Sequence, residues 1–325
     1  MQSYEQSLQQ TREFLLDHDD YLVVSHVQPD GDAVSSTLAV GWLLSCLGKK
    51  FTMLNEGPIP QRMRYLWHAD QIVNLADGEL TRTYDRVICV DCADFQRVGL
   101  TQRYFAPDAL IANIDHHPTN NGYGAVTLIK PDAAATAEIL FDLLKTFQVQ
   151  WDIDVATALY TGLLTDTGGF RYTNTSPKVM AAVSELLALG VNGPELAETL
   201  LEEMTLAQVK VLNRALNTLQ LSSDGDIAWV YVTPQDMEEC GAANEDLEGI
   251  VNYPRNIRGV EVGMLFKVIT ERSVKVSLRS AGKVDVAELA QVFGGGGHTR
   301  AAGARIDMTL EEAIPRVLEE VRKRL

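Results

Sequence analysis

The 325-residue chain is 46% hydrophobic and carries a formal net charge of −16. This length favours two domains, and the acidic balance argues against a protein that coats long duplex nucleic acid, because such binding needs many basic contacts to phosphates. The sequence has no apolar run near the roughly 20 residues of a membrane-spanning helix and no signal-peptide pattern, so we expect a cytoplasmic protein that binds no membrane. Its four cysteines lack disulfide-framework spacing, which agrees with a reducing compartment.

Strand and helix patterns alternate in the first part of the chain, from Tyr4 to about Phe147. Helices are predicted from about Asp32 to Leu47 and near Gln61 to Trp67. The predicted strands are YLVVSHV, FTMLN, RVICVDCA, ALIANID and GAVTLI. Strands separated by helices build a parallel sheet that is covered on both faces, so the pattern predicts an α/β fold with a mostly parallel N-terminal sheet.

The second part of the chain is first helical and then mixed. Helical patterns run from Ala134 to Thr218, and short strands return after Leu219 as IAWVYVT, EVGMLFKVI and SVKVSLRS. A helix VAELAQVFG and an amphipathic helix from Leu310 to Leu325 follow. We therefore predict a first domain over residues 1–190, a helical connector over 191–218 and a smaller α+β domain over 219–325.

Acids and histidines collect where predicted strands and helices end, in the motifs HVQPDGDA, RVICVD, NIDHHP and GLLTDTGGF. The residues concerned are His26, Asp30, Asp32, Asp91, Asp115, His116, His117 and Asp166. Each acid taken alone is more often a turn or helix cap than a ligand. Open α/β sheets, however, bind ligands beyond the carboxyl ends of their strands. Convergence of four such ends on one edge of the sheet is therefore the functional signal.

The residue types in these motifs favour a metal site. Oxygen ligands with a minority of imidazoles suit manganese or magnesium better than structural zinc, which favours thiolates. The set is large enough for two ions that share one carboxylate. Such a pair activates a water and stabilises the entering and leaving oxygens of a phosphoryl displacement. The motifs therefore predict a two-metal site suited to phosphoester chemistry.

A glycine run in FGGGGHTRAAG is the candidate substrate-binding feature of the second domain. Successive backbone N–H groups at Gly295, Gly296 and Gly297 can surround a phosphate, and His298 and Arg300 add donors beside it. A glycine run alone is more often a flexible turn. The segment TRAAG is predicted to open a helix. Arg279, at the end of the strand VSLRS, either joins this site or is an ordinary exposed strand residue.

The five ordered motifs HVQPDGDAVSS, VDCAD, DHHP, LLTDTGGF and GGGGHTRAAG resemble the DHH phosphoesterase superfamily with its associated C-terminal domain. The resemblance covers essentially the whole chain. Within the superfamily, the length and two-domain layout are most similar to the bacterial bifunctional oligoribonucleases (nanoRNases) that are also 3′-phosphoadenosine 5′-phosphate phosphatases.

The resemblance implies a role for each motif residue. It implies one manganese ion held by His26, Asp30 and Asp91. A second ion would be held by Asp32, Asp91, His116 and Asp166, so that Asp91 is shared and catalytic. His117 would act catalytically at the scissile phosphate. The residues implied to hold the nucleotide are Arg279, Gly295, Gly296, Gly297, His298 and Arg300.

The expected activity is manganese-dependent hydrolysis, with magnesium as an alternative ion, of very short RNA to mononucleotides and of 3′-phosphoadenosine 5′-phosphate to AMP. Few phosphates need to be neutralised on such substrates, which reconciles them with an acidic protein. The main alternative is a phosphodiesterase of linear or cyclic dinucleotide signals such as pApA or cyclic di-AMP. A weaker one is a non-catalytic nucleotide sensor on the same fold. The sequence leaves the substrate, the cleavage polarity and a homodimer open.

Overall fold

The structure is a computed structural model that describes residues 3–325. The chain divides into two compact units, the first ending at Glu203 and the second running over Met204–Leu325. The finer division at residues 190/191 and 218/219 stays a prediction. Over residues 3–325, no helix is both long and apolar enough to cross a membrane. All four cysteines are free thiols, and Cys89 and Cys92 are buried.

The first unit contains a six-stranded sheet in which every neighbouring pair is parallel. The strand order is β3-β2-β1-β4-β5-β6. The strands are β1 (Tyr21–Val24), β2 (Phe51–Asn55), β3 (Val73–Asn74), β4 (Tyr84–Val90), β5 (Phe105–Asp115) and β6 (Val126–Ile129). A parallel sheet needs crossover connections that cover its faces, and the predicted α/β class with a mostly parallel N-terminal sheet is confirmed.

Successive residues of the central strands enter two separate cores. Val23 of β1 and Ile88 of β4 belong to the larger apolar cluster, which includes the helices. Leu22 and Val87, one residue earlier in each strand, belong to a second cluster with Val98. This alternation follows from the two-residue period of a strand. Burial on both faces explains why these strands read as continuous apolar runs.

Six α-helices surround this sheet in the described part of the first unit. They are α1 (Tyr4–Asp17), α2 (Gly31–Cys46), α3 (Thr136–Lys145), α4 (Ile153–Asp166), α5 (Pro177–Ala188) and α6 (Gly193–Ala197). Short 3₁₀ segments lie at Gln61–Met63, Ala69–Gln71 and Phe95–Tyr104, and a π-helical turn at Glu198–Glu202.

Two glycines allow α2 to pack closely against α4. A Cβ on Gly31 would lie 2.5 Å from Thr165 Oγ1, and a Cβ on Gly162 would lie 2.7 Å from Asp32 Oδ1. Real Cβ atoms do not approach other atoms so closely, so both positions require glycine. This close packing brings the start of α2 next to the end of α4, where the candidate acids Asp30, Asp32 and Asp166 lie.

The second unit is built on a mixed six-stranded sheet with the order β11-β12-β10-β9-β8-β7. Its strands are β7 (Gln220–Leu221), β8 (Ile227–Val232), β9 (Val262–Thr270), β10 (Ser273–Ser280), β11 (Gly296–His298) and β12 (Ala301–Ile306). Its helices are α7 (Leu206–Asn217), α8 (Pro234–Cys240), α9 (Asn252–Arg255), α10 (Val286–Gln291) and α11 (Leu310–Arg322), with a 3₁₀ turn at Glu245–Leu247. The predicted α+β class of this unit is confirmed.

The predicted helix at TRAAG is wrong. Thr299 and Arg300 form the turn of a hairpin, and Ala301–Ile306 is strand β12, paired on both sides. The small residues Ala302 and Ala304 pack into the apolar core of this unit while the intervening residues face away from it. This alternation within a sheet outweighs the helix propensity of the two alanines.

Candidate active site

The first unit places its candidate residues at the point where the strand order reverses. Strand β1 lies between β2 and β4, and the connections leave in opposite directions on either side of the β1/β4 pair. A crevice forms at such a switch point beyond the carboxyl ends of the strands. His26 follows β1 and Asp91 follows β4, and His26 Nε2 lies 3.6 Å from Asp91 Oδ2.

Asp91 is the central residue of the cluster, and its backbone has an uncommon conformation. Its φ angle is +53°, in the left-handed region that non-glycine residues seldom adopt. The Asp91 N–H donates to Ile114 O (3.0 Å), and Thr136 Oγ1 donates to Asp91 Oδ1 (3.0 Å). Strain of this kind persists where the surrounding structure fixes it, often at functional sites.

One ligand group consists of His26, Asp30 and Asp91, whose donor atoms all lie within 4.8 Å of one another. Asp30 is also the N-cap of α2, and its two oxygens serve two purposes. Oδ1 accepts from Ala33 N (3.1 Å), while Oδ2 lies 3.7 Å from His26 Nε2. The cap and ligand interpretations of Asp30 are therefore compatible.

A second ligand group consists of Asp32, Asp91 and His116, again with donor atoms within 4.8 Å. Asp166 adjoins it, because its Oδ2 lies 3.3 Å from His116 Nε2, which in turn lies 3.5 Å from Asp91 Oδ1. Asp166 is the last residue of α4, where a negative charge opposes the helix dipole. A cap role is thereby excluded for Asp166, and Asp91 belongs to both groups.

Both ligand-group histidines present the same ring nitrogen to the carboxylates. The Nδ1–H of His26 donates to Val27 O (2.9 Å), and the Nδ1–H of His116 donates to Ala133 O (3.3 Å). A backbone carbonyl at Nδ1 fixes the tautomer whose Nε2 carries a lone pair. Nε2 of each ring therefore faces the acids and is the nitrogen that can bind a metal when the ring is neutral.

Asp32 is held by another helix rather than capping its own. The first residue before α3 is Ala135, which has no side-chain cap to offer. Asp32 Oδ2 instead accepts from Thr136 N (2.6 Å) and Oδ1 from Ala137 N (3.0 Å). This carboxylate thus satisfies the N-terminus of α3 and is fully buried.

The ionisation of the cluster follows from its burial and its crowded charges. Burial raises the pKa of Asp32 to about 8, with repulsion from Asp91 adding to the effect. Burial and repulsion from Asp32, Asp30 and Asp91 likewise raise the pKa of Asp166 well above its ordinary value. Burial alone would lower the pKa of His26, but hydrogen bonds to Asp30 and Asp91 outweigh it and raise that pKa to about 10. A positively charged group placed between these carboxylates, such as a protonated histidine or a cation, is therefore stabilised.

The chemistry of the donor set fits divalent cations. Asp91 is shared by the two ligand groups above and by a third, which consists of Asp91, Asp115 and His117. Carboxylate oxygens outnumber imidazole nitrogens, and the neutral rings of His26 and His116 present Nε2 for coordination. Burial and, to a smaller extent, repulsion raise the pKa values of Asp32 and Asp166, and cations between the oxygens would offset both effects. The cluster can therefore bind metal.

His117 is supported by Asp115, a candidate acid of the sequence analysis, and by Asn120, which the sequence analysis did not single out. Asp115 is fully buried, and its Oδ1 accepts from His117 Nδ1 (2.7 Å) while its Oδ2 accepts from Asn120 Nδ2 (2.6 Å). Asn120 Nδ2 also lies 2.8 Å from Asn113 Oδ1. Asp115 and Asn120 therefore orient His117. The motif DHHPTN contains both residues, but the sequence does not reveal that Asn120 donates to Asp115.

Thr136 is another residue that sequence reasoning missed. It contacts two candidate ligands, through its backbone N–H to Asp32 and through its hydroxyl to Asp91. A threonine at the start of a helix ordinarily reads as a capping residue. Nothing in the local sequence distinguishes that role from this one.

In the second unit, the cross-strand register places Arg279 and His298 on one face of the sheet. Ala301 of β12 pairs with Arg279 of β10 on one side and with His298 of β11 on the other. Directly paired residues point to the same face, and the small Ala301 lies between them. Arg279 Nη1 also donates to Leu278 O (3.1 Å).

The glycine run forms edge strand β11 and the turn before it. A Cβ on Gly295 would lie 2.1 Å from Gly303 O, and one on Gly297 would lie 2.5 Å from Ala301 O. These two glycines therefore permit close backbone approach within the sheet. A Cβ on Gly296, by contrast, would meet nothing within 4 Å.

Arg300 lies in the β11–β12 turn and packs over the loop after β10. A Cβ on Gly282 would lie 2.7 Å from Arg300 Nη2. The same loop is held by Glu261, whose Oε1 accepts from the backbone N–H groups of Gly282 (3.0 Å), Lys283 (2.6 Å) and Val284 (3.1 Å). Burial would raise the pKa of Glu261, but these bonds outweigh it and lower that pKa.

Comparison with known proteins agrees with both halves of this description. The family model "DHH family, N-terminal domain" matches residues 20–163, and "DHHA1 domain" matches residues 225–325. A protein of Thermus thermophilus named bifunctional oligoribonuclease and PAP phosphatase is 34% identical over 310 residues, which cover 93% of this chain and 89% of that protein. A Bacillus subtilis protein of the same name is 26% identical over 292 residues, covering 89% of this chain and 90% of that protein.

Among solved structures, the crystal structure of an exopolyphosphatase-related protein from Bacteroides fragilis has a TM-score of 0.89 at 25% identity, covering 98% of this chain and 96% of that chain. The switch-point cluster and these similarities define the protein as a hydrolase of phosphoesters. The chain belongs to the DHH family.

Proposed function

We propose that this protein is a manganese-dependent phosphoesterase that degrades very short RNA oligonucleotides to mononucleotides and dephosphorylates 3′-phosphoadenosine 5′-phosphate to AMP. The observation that carries the proposal is the pair of ligand groups that share Asp91 at the switch point. The choice of substrates is supported by the names of the Thermus thermophilus and Bacillus subtilis relatives, which are similar over nearly their full length. The preference for manganese is supported by the oxygen-rich donor set with two imidazoles.

The proposed metal ligands are His26, Asp30, Asp32, Asp91, His116 and Asp166. Two ions bound by them would activate a water and stabilise charge on the oxygens of the phosphoryl group under attack. Asp91 would hold both ions, and its fixed backbone limits how far its oxygens can move.

His117 would act on the scissile phosphate. Its Nδ1–H is occupied by Asp115, which fixes the ring and leaves Nε2 as the nitrogen that exchanges a proton. In that position the imidazole would stabilise the phosphate charge or protonate the leaving oxygen.

Arg279, Gly295, Gly296, Gly297, His298 and Arg300 would hold the nucleotide and its terminal phosphate. Arg279 and His298 flank the small Ala301, which leaves room above the sheet for a flat ligand. A cytoplasmic location and a homodimer stay predictions from the sequence.

The test is product release from RNAs of two to five nucleotides and from 3′-phosphoadenosine 5′-phosphate, with manganese and with chelator. Asp91→Asn should abolish turnover of both substrate types, since it removes the shared carboxylate. Asp94→Asn is the matched control, because Asp94 belongs to the same VDCAD motif but is exposed and caps Gln96 N (2.7 Å). Asparagine also caps helices, so this variant should retain activity.

Three results would contradict the proposal. Turnover confined to pApA or cyclic di-AMP would support a signalling phosphodiesterase instead. Nucleotide binding without any turnover would identify a sensor. Equal activity with manganese and with chelator would exclude the metal assignment.

A further inference from the structure

The second unit carries a row of three basic residues that none of the proposed roles uses. Lys275 of β10 pairs with Lys267 of β9 on one side and with Arg305 of β12 on the other. We call these three residues the basic row. Paired residues on neighbouring strands point to the same face of the sheet, and like charges directly opposite one another are destabilising.

The charges of the basic row are close together and poorly neutralised. Burial lowers the pKa of Lys267, and the nearby charge of Lys275 lowers it further. Within residues 3–325, neither lysine forms an ion pair with a carboxylate, and Lys267 Nζ donates to the neutral Asn244 Oδ1. The one ion pair of Arg305 within residues 3–325 is long, with 4.0 Å between its Nε and Oδ1 of the exposed Asp307. Its Nε also donates to Ser273 Oγ (2.9 Å). A cost of this kind in a protein of net charge −16 suggests a negatively charged ligand.

The basic row lies on the same face as Arg279 and His298. Lys275 and Arg279 are four residues apart on β10, and an even spacing along a strand keeps side chains on one face. The intervening residues of the opposite face, Val276 and Leu278, are in the apolar core. At about 3.4 Å per residue, the two rows are about 14 Å apart.

Over β10, β12 and β11, the surface between the two rows is flat because its side chains are small. At β9, Leu265 pairs with Ser277 and is buried with Val211 and Cys240. Ser277 of β10 pairs with Gly303 of β12, which pairs with Gly296 of β11. The Gly296 position is open, since a Cβ there would meet nothing within 4 Å. The face therefore consists of donors at Arg279 and His298, a smooth middle, and then the basic row.

We propose that the basic row binds the backbone of a single-stranded oligoribonucleotide at a phosphate beyond the first nucleotide. This inference rests on the proposed function and identifies a determinant of substrate length. The separation of the rows exceeds the span between the 3′ and 5′ phosphates of one nucleotide. A bound 3′-phosphoadenosine 5′-phosphate or dinucleotide occupies only the Arg279 and His298 end, whereas a longer strand crosses the flat middle and reaches the basic row. Contacts of this type follow the backbone and read no sequence.

The experiment compares two double variants that each remove one lysine and one arginine. Lys275→Gln/Arg305→Gln disrupts the basic row. The matched control, Arg322→Gln/Lys323→Gln, alters the end of α11, a helix that packs against the opposite, apolar face of the sheet. Because the first variant relieves repulsion between like charges, its melting temperature should not fall below that of the wild type.

The measurement is kcat/KM for a tetranucleotide, a dinucleotide and 3′-phosphoadenosine 5′-phosphate at several salt concentrations. Each neutralised phosphate of a single strand contributes about −0.7 to the slope of log affinity against log salt, so loss of the one phosphate contact at the basic row should reduce the tetranucleotide slope by about 0.7. The ratio of tetranucleotide to dinucleotide kcat/KM should fall in the basic-row variant and stay at the wild-type value in the control.

Equal slopes and equal ratios in the two double variants would overturn the inference while leaving the proposed function in place, provided that wild-type protein hydrolyses short RNA. A wild-type protein that hydrolyses no RNA would overturn both. A slope that falls equally for all three substrates would show that the basic row acts on phosphates in general, which also contradicts a role in substrate length.

Discussion

The two units present their functional residues in different ways. In the first, acids and histidines at the ends of strands and helices converge on a buried cluster, where Asp32 is completely inaccessible and Asp91 is 2% exposed. In the second, candidate residues stand on one face of a sheet, in register across neighbouring strands. The first arrangement holds like charges together at an energetic cost, and the second distributes positive charge over an accessible surface.

This difference reflects the demands of chemistry and of recognition. A reacting centre benefits from fixed dipoles and charges in a site that excludes water. In the first unit, the ends of strands and helices fix the charges, and their burial excludes water. Recognition of a short nucleic acid needs a groove or face that the ligand can reach, with charges spaced along its backbone. The predictions below test whether each unit follows its own rule.

The largest effect is expected at Asp166 in the buried cluster. Asp166→Asn should lower turnover on the order of 10³-fold, the upper range for removing one electrostatic stabiliser. The same change removes repulsion from Asp32, Asp30 and Asp91, so in chelator the melting temperature should rise by about 2 °C or more. Calorimetry and rate assays on one preparation measure both quantities.

The matched control for this change is Asp17→Asn. Asp17 is also the last residue of a helix, so any effect of the helix dipole is shared, but it is exposed and distant in sequence from the cluster. Asp17→Asn should leave turnover intact. A melting temperature that falls in chelated Asp166→Asn would show that the cluster is not electrostatically strained.

A smaller effect is expected at Asp115, which positions His117. An amide in place of this carboxylate can accept from only one of His117 and Asn120, so Asp115→Asn should lower kcat by about 10 to 100-fold, as for other residues that orient active-site histidines. Bound manganese, measured by elemental analysis, should stay at the wild-type level. Loss of metal in proportion to activity would instead make Asp115 a ligand.

The smallest effect concerns the glycine run of the second unit. Gly295→Ala should destabilise that unit by about 1 to 3 kcal/mol, the usual cost of overpacking, because its Cβ would strike Gly303 O. Gly296→Ala should fold normally, since its Cβ would meet open space. Denaturant unfolding of the two variants compares them directly.

The variants Gly295→Ala and Gly296→Ala also separate two explanations of the glycine run. If Gly296 lies against the nucleotide, Gly296→Ala should weaken substrate binding without any loss of stability. Unchanged binding in Gly296→Ala would mean that these glycines serve only the packing of β11 against β12.

Much of the fold follows from local sequence patterns. Continuous apolar runs identified strands buried on both faces, and the motifs at their ends located the acids and histidines that the structure brings together. The prediction failed at TRAAG, where two alanines suggested a helix but a hairpin formed. Small residues carry little information about secondary structure when a neighbouring strand determines their pairing.

The sequence by itself determined which residues stand at the ends of the strands, because strand periodicity and parallel connections are local properties that place those ends at one edge of the sheet. Only the tertiary structure decided what each residue does there. The bond from Thr136 N to Asp32 joins residues 104 positions apart, and the register of β9, β10 and β12 brings Lys267, Lys275 and Arg305 into one row. Such pairings depend on how separate elements pack, and no local pattern encodes them.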